Sequence, residues 1–400
     1  MTCITRKNAK DIVFINLSST LAFLMILFSC KSKTNSHPAL QDQEKSHLTE
    51  YKWTKIDSFR VERMTRFTML VYNYKSKKIL AYDPITDEYL ILNKQGNILQ
   101  NVKRSGDGPN EYTTRASAAS FDHETDGYFV QTTNEFVHYS ANWEVKKRTN
   151  FSSYHTVVLY SGPRVKTPYY KISDAAPIFF ACLFSGVGIF KIVKPEDVDN
   201  IKLVEYYSPK TDSIHSALPL YKDLFMPNIL EKPNTFIKQV YTIDNKNNLL
   251  YLTFQKGKAI GLYDLEKEFQ PISKLPISHQ EYIKSHGSKN TALFKFDKGL
   301  LALLYYKGLS EGEEQLRKDK DPDYNPNSDP RLFSFILFDQ GKQIEKELPF
   351  PKNASPWPQP LVLQDNCILT MDKANDKVEQ EFTDFSIYQL KQTTSNFPQP

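Results

Sequence analysis

From Tyr51 onward, short runs of alternating apolar and polar residues are separated by polar turns, and no stretch keeps a helical period beyond two turns. The runs Thr68–Tyr74, Ile79–Asp83, Tyr89–Leu92 and Ile98–Val102 predict a first set of strands. Lys77-Lys78, Asp83-Pro84-Ile85-Thr86-Asp87 and Lys94-Gln95-Gly96-Asn97 join them, each with turn chemistry. The unit recurs. Tyr128–Thr132, Glu135–Tyr139 and Glu144–Phe151 give a second set; Ile178–Leu183, Gly188–Val193, Lys202–Tyr207 and Ser213–Ala217 a third. Gln239–Asp244, Leu249–Gln255, Ala259–Asp264 and Phe269–Leu275 give a fourth, and Ala292–Phe296, Leu300–Tyr306, Leu332–Asp339 and Ile344–Leu348 a fifth. Leu361–Leu363, Cys367–Met371 and Phe382–Leu390 leave a sixth set one strand short, and Tyr51–Phe59 can supply the missing strand. The expected fold is all-β: a six-bladed β-propeller spanning residues 51–392 and closed by its N-terminal strand, with a C-terminal tail at 393–400. Radial repetition hides sheet edges, and sharing one blade between both chain ends locks the ring.

The N-terminal segment has a different pattern. Arg6, Lys7 and Lys10 precede a mostly apolar run, Ile12 to Phe28, broken by Asn16 and by Ser18, Ser19 and Thr20. The uninterrupted apolar core, Leu21 to Phe28, is short for a bilayer span of about 20 residues and suits a signal peptide. An uncleaved anchor is the alternative. Leu27-Phe28-Ser29-Cys30 resembles a bacterial lipobox, so residues 1–29 are expected to be a cleaved lipoprotein signal, with Cys30 lipidated. Two acyl chains anchor durably where one binds only marginally. Residues 30–50 are polar and aperiodic and form a tether. Lys31 follows the cysteine where inner-membrane retention would need Asp, and no acidic run follows. The expected location is therefore the outer membrane, lipid-anchored and facing the periplasm.

Charge narrows the partners. Without residues 1–29 the chain keeps 48 basic and 45 acidic residues, a net +3 with no Lys/Arg cluster, which disfavours nucleic acid. Tyr (23) and Phe (26) far outnumber Gly (14), as suits a large β core. Two cysteines remain beyond Cys3 and Cys30. Cys182 and Cys367 both sit among apolar neighbours and read as separate buried thiols.

The segment Arg104-Ser105-Gly106-Asp107-Gly108-Pro109-Asn110-Glu111-Tyr112 carries the sharpest motif. It resembles the blade-closing Gly-x-Gly-Pro-x-Glu-aromatic signature of six-bladed, NHL-like and TolB-like propeller lipoproteins of Bacteroidota. The resemblance covers most of the chain in strand rhythm and one short motif in sequence. It implies architecture and envelope location and brings no catalytic residues. Read by themselves, Gly106 and Gly108 around Asp107 allow either an anion nest helped by Lys103 and Arg104, or a blade crossing needing positive φ and held by Asp107 and Glu111. The crossing is the expectation for Gly106, Asp107, Gly108, Pro109 and Glu111.

Other candidates are thinner. Asp319, Asp321 and Asp323 begin an alternation through Asn325, Asn327 and Asp329 that opens like a calcium loop. Tyr324 stands where the sharp turn needs Gly and Pro330 where the bidentate Glu belongs, so an extended solvated insertion is expected, with calcium at Asp319, Asp321 and Asp323 the alternative. Asp122-His123-Glu124-Thr125-Asp126-Gly127 reads as a second acidic turn. Trp357 lies between Pro356 and Pro358, either as a ligand platform or packed over a blade edge. Tyr169 and Tyr170, after Pro168 in an insertion from Tyr154 to Ala176, carry the same two readings. His138, His155, His215, His279 and His286 have no neighbour at metal or triad spacing, and no serine sits in a nucleophile elbow. The sequence thus points to a non-enzymatic binding module without a cofactor, its partner a protein, peptide or saccharide. A hydrolase, lactonase or lyase with an axial metal, or a structural subunit of an outer-membrane complex, are the alternatives.

Overall fold

The computed structural model describes residues 49–114, 116–132, 135–150, 165–166, 169–173, 176–181, 202–208, 211, 213–219, 239–281, 287–373 and 381–394. The expected signal, Cys30, Cys182 and the strand Gly188–Val193 lie outside them.

The chain is an all-β propeller. After β1 (Thr49–Val61), the strands β2 (Thr68–Asn73), β3 (Lys78–Asp83), β4 (Glu88–Asn93) and β5 (Ile98–Val102) form an antiparallel sheet in sequence order. The pattern repeats with β6 (Ala116–Phe121), β7 (Tyr128–Thr132), β8 (Glu135–Tyr139) and β9 (Val145–Asn150), to whose first strand the short β10 (Val165–Lys166) adds in parallel. Next come β11 (Tyr169–Ser173), β12 (Ala176–Ala181), β13 (Lys202–Ser208) and β14 (Ser213–Pro219), then β15 (Gln239–Asp244), β16 (Leu249–Phe254), β17 (Ala259–Asp264) and β18 (Gln270–Pro276). A further sheet holds β19 (Lys289–Lys295), β20 (Leu301–Tyr306), β21 (Phe333–Asp339), β22 (Lys342–Gln343) and β23 (Leu348–Pro349). The last is β24 (Leu361–Val362), β25 (Cys367–Met371) and β26 (Thr383–Thr394), completed by β1 along a register from Thr49↔Thr394 to Val61↔Thr383.

The cores lie between neighbouring sheets. In β3, Ile79 and Ala81 face the last sheet while Leu80 and Tyr82 face the β6–β9 sheet, so alternation here divides two apolar faces. Equivalent cores join the last sheet to the β19–β23 sheet, and that sheet to β15–β18. Five sheets are therefore established as blades by their packing, one fewer than the six expected from strand rhythm. Side-chain burial in β11 and β12 lies outside the described residues, and only the backbone pairing of those strands is drawn.

Three sequence expectations are corrected. Ile344–Leu348 is not one strand, because β22 and β23 pair separately with opposite ends of β21. The insertion Leu309–Arg331 is not extended. It contains helix α1 (Glu311–Lys320), capped by Ser310, whose hydroxyl accepts from the Glu313 N–H while the Glu313 side chain returns to the Ser310 backbone. Tyr169 and Tyr170 belong to β11, opposite Phe179 and Ile178, and not to a loop. The first strand starts at Thr49 and the last ends at Thr394.

Candidate functional site

The strands set up two ends of the ring. First strands of neighbouring sheets touch, β2 meeting β6 and β24, and β15 meeting β19. Their C-terminal ends lie together: Asn73 Nδ2 donates to Asp126 Oδ1 (3.1 Å), the Lys295 ammonium is 3.3 Å from Asp244, and the Asp365 N–H donates to Asp297 Oδ2 (3.2 Å). Their N-terminal ends share the opposite end, where Gln359 Nε2 donates to the Thr291 carbonyl (2.7 Å).

The Gly106–Tyr112 motif stands at that N-terminal end and is internally satisfied. The Gly108 N–H donates to Glu111 Oε2 (2.8 Å), the Glu111 N–H to the Gly108 carbonyl (3.0 Å), and the Tyr112 N–H to the Arg104 carbonyl (2.8 Å). The left-handed region is needed at Gly106, at φ 152°, where a Cβ would meet Glu111 Oε2 at 2.1 Å. Gly108 has no such φ; a Cβ there would lie 3.0 Å from the same oxygen. The Glu111 carboxylate occupies the place an anion would need. Arg104 Nε donates to the Trp143 carbonyl (3.1 Å), and the Arg148 guanidinium reaches the carbonyls of Pro109 and Glu111 as well as the Glu135 carboxylate. The motif thereby fixes Trp143, which is fully buried and stacked on Tyr128 (4.0 Å, 14°) and Tyr89 (5.0 Å, 25°). Asp107 is exposed.

Trp357 lies on the loop before β24 and is 46% exposed, so part of the side chain is offered to solvent. Its backbone is held from both sides, because Ser355 Oγ donates to the Trp357 carbonyl (2.5 Å) and Gln359 ties the loop to β19.

The acidic insertion distributes its carboxylates. Asp319 lies in the last turn of α1 and accepts from Gln315 Nε2 (2.8 Å), Asp321 caps the helix C-terminus, and Asp323 is exposed beyond it. Asp329 is buried and takes both Arg331 (2.7 and 2.8 Å) and Arg317 (2.7 Å), with the Tyr324 hydroxyl at 2.9 Å. Burial opposes its ionisation, yet these donors hold its pKa down at about 2. No group of three or more His, Cys, Asp or Glu among the described residues could hold a metal ion.

The histidines have local partners. His138 Nε2 is 3.0 Å from Asp122 Oδ2 and stacks on Phe129 (4.5 Å). His215 bonds Thr211 and Ser213, and His279 bonds Asn290 (2.9 Å). Burial lowers the His279 pKa, the Asn290 bond opposing. His155 and His286 lie outside the described residues. Cys367 is a free, buried thiol, its pKa pushed up to about 11 by burial and by the Asp365 and Asp297 charges.

Sequence reasoning missed the opposite end, where the turns after the first strands gather. Tyr74 follows β2, and His123 follows β6, with ring centroids 6.5 Å apart and planes at 25°. Tyr72 meets the Tyr74 ring edge-on at 5.3 Å. Asp297 follows β19 and Asp365 follows β24. Tyr74 is 48% exposed, yet burial raises its phenol pKa, with the Asp297 charge second. Burial likewise lowers the His123 pKa to about 4, so the imidazole is neutral at pH 7. Tyr74 and His123 thus stand at the end of the ring where Asp297 and Asp365 also lie. Each residue closes an ordinary strand turn, and only the ring unites them.

No family model matches the chain, and no curated protein matches it in sequence. Solved structures do. A member of the DUF4221 family from Bacteroides vulgatus superposes with a TM-score of 0.66 at 13% identity, covering 86% of this chain and 100% of its own. A Bacteroides fragilis protein inferred to be exported gives 0.45 at 11% identity, covering 88% and 97%, and a luciferin-regenerating enzyme 0.42 at 7%, covering 86% and 95%. No helix among the described residues is long and apolar enough to cross a membrane. At such identities the likeness is one of fold, and the fold this chain shares with the Bacteroides vulgatus protein is the β-propeller.

Proposed function

We propose that this chain is an envelope lipoprotein whose propeller works as a non-enzymatic binding module for a protein, peptide or saccharide. The observation that carries the reading is Trp357, a large aromatic surface left 46% exposed on a loop whose backbone is pinned at Ser355 and Gln359. A rigid, exposed indole loses little entropy on binding and presents both an apolar face and a donor. Met64 (65% exposed) and Ile85 (69%) stand at the same end of the ring, in the lead-in to β2 and in the β3–β4 turn that Arg63 ties together.

The complete ring holds six blades in this reading. The β11–β14 sheet supplies the sixth in this reading, supported by two contacts with the β15–β18 sheet, Gln239 Nε2 donating to the Leu203 carbonyl (3.2 Å) and Tyr206 against Phe269 (5.8 Å). Cys30 carries the lipid and residues 31–48 the tether, on the outer membrane and facing the periplasm; the basic start, the apolar core and Leu27-Phe28-Ser29-Cys30 support this.

A photo-crosslinking amino acid placed at position 357 in cells tests the binding role. A discrete adduct is expected from position 357 and none from position 298, at the other end. The absence of an adduct at 357, or the same adducts from both positions, overturns the reading.

A further inference from the structure

We propose that the end of the ring where the turns bearing Tyr74, His123, Asp297 and Asp365 gather is a second binding site, for a small organic ammonium group. Four different sheets contribute, since these residues follow β2, β6, β19 and β24 respectively. The site has an aromatic wall, Tyr74 over His123 with Tyr72 at its edge, and, next to it around the ring, an acidic wall, Asp297 joined to Asp365 through the Asp365 N–H. Asn366 completes it, its Oδ1 accepting from the Asp297 N–H (2.8 Å). Asp126 adds a third carboxylate, held by Asn73.

The two walls act on each other. The charge of Asp297 raises the phenol pKa of Tyr74 and that of Asp365 raises Tyr72, in each case after burial, so the field at the aromatic wall is negative. An ammonium gains from both walls, by cation–π attraction to the rings and by Coulomb attraction to the carboxylates. Neutral His123 adds a ring without a repelling charge. Lys75, exposed near His123, and Lys298, exposed beyond Asp297, are the opposing charges, and the three carboxylates Asp126, Asp297 and Asp365 outnumber them. Lys295 is already paired with Asp244. The Tyr74 hydroxyl has no hydrogen-bond partner among the described residues.

Calorimetric titration of the purified mature protein with spermidine, with Nα-acetyl-lysine amide and with maltotriose tests this. Saturable binding of spermidine or of the lysine derivative is expected, the stronger of the two marking a free amine or a lysine side chain as the source. Tyr74→Leu and Asp297→Asn should each weaken it by about tenfold or more, while Tyr74→Phe, which keeps the ring, and Asp57→Asn on the outer strand should not. Melting temperatures of the variants establish that all are folded. No saturable amine binding, an equal loss in Asp57→Asn, or maltotriose binding that depends on Tyr74 but not on Asp297 overturns the assignment. The position 357 crosslink does not depend on these residues, so failure of one reading leaves the other standing.

Discussion

At the scale of single residues, the Gly-Asp-Gly-Pro turn separates two glycines that look equivalent in the sequence. Gly106→Ala places a Cβ 2.1 Å from Glu111 Oε2 at φ 152°, and strain of this kind costs on the order of 1–3 kcal/mol. Gly108→Ala asks less, since the contact is 3.0 Å with the end of a flexible side chain. Thermal melts should therefore rank Gly106→Ala well below Gly108→Ala, and equal melting temperatures would refute the assignment. Expecting left-handed backbone at both glycines was too broad, because the pattern marks a turn but not which residue bends. Asp329 gives a second residue-scale prediction. Its folded pKa, about 2, lies below the unfolded value of about 3.9, so its contribution is present above the unfolded pKa, shrinks as pH falls below it and is lost as pH falls through about 2. Asp329→Asn should cost about 2 kcal/mol at pH 7 and progressively less as pH falls from about 4 through about 2. Urea unfolding of both proteins across that range measures the convergence; a gap independent of pH would mean the carboxylate is not the source.

Among the elements, strands bearing apolar residues were legible and the helix was not. Tyr128–Thr132, Glu135–Tyr139 and Cys367–Met371 fall where alternation puts them, because each strand lies between apolar neighbours and its ends carry turn residues. Repeated strand-end Asp and Asn residues set those ends: Asp83, Asp244 and Asp264 each accept from the N–H groups two and three residues on. Helix α1 buries no residue, so it has no apolar stripe to betray it. Its one signal was Ser310-Glu311-Gly312-Glu313, a capping box overshadowed by the Asp and Pro that follow. With little packing behind it, the cap matters: Ser310→Ala should cost about 1 kcal/mol and increase amide exchange across Glu311–Lys320 before the rest of the chain. Unchanged exchange there would show that the Asp329 network alone holds the helix. The gathering of Tyr74, His123, Asp297 and Asp365 at one end of the ring was illegible for another reason, since these residues share no local motif and are brought together only by the strand order.

For the whole molecule, the decisive feature is how the ring is closed. β1 pairs with β26 over nearly its full length, and its Trp53 packs on Phe335 at 5.1 Å and Phe296 at 6.2 Å, in the neighbouring blade. Phe59 lies against the β4–β5 turn, where a Cβ on Gly96 would meet its ring at 2.3 Å. Beyond β1, Arg63 crosses to the first blade and donates to buried Asp83 (2.7 Å) and to Glu88 (2.6 Å). One strand thus joins the last blade to both its neighbours. Deleting residues 51–59 strips the outer strand from β26, exposing unpaired backbone and apolar surface, and should cause aggregation and loss of a cooperative melt. Deleting residues 31–48, which removes only the polar segment before β1, should leave solubility and melting temperature unchanged. Measured side by side by size-exclusion chromatography and calorimetry, the two truncations must part company; if both stay monomeric and melt together, β1 does not close the ring, and the propeller must be held by contacts between blades alone.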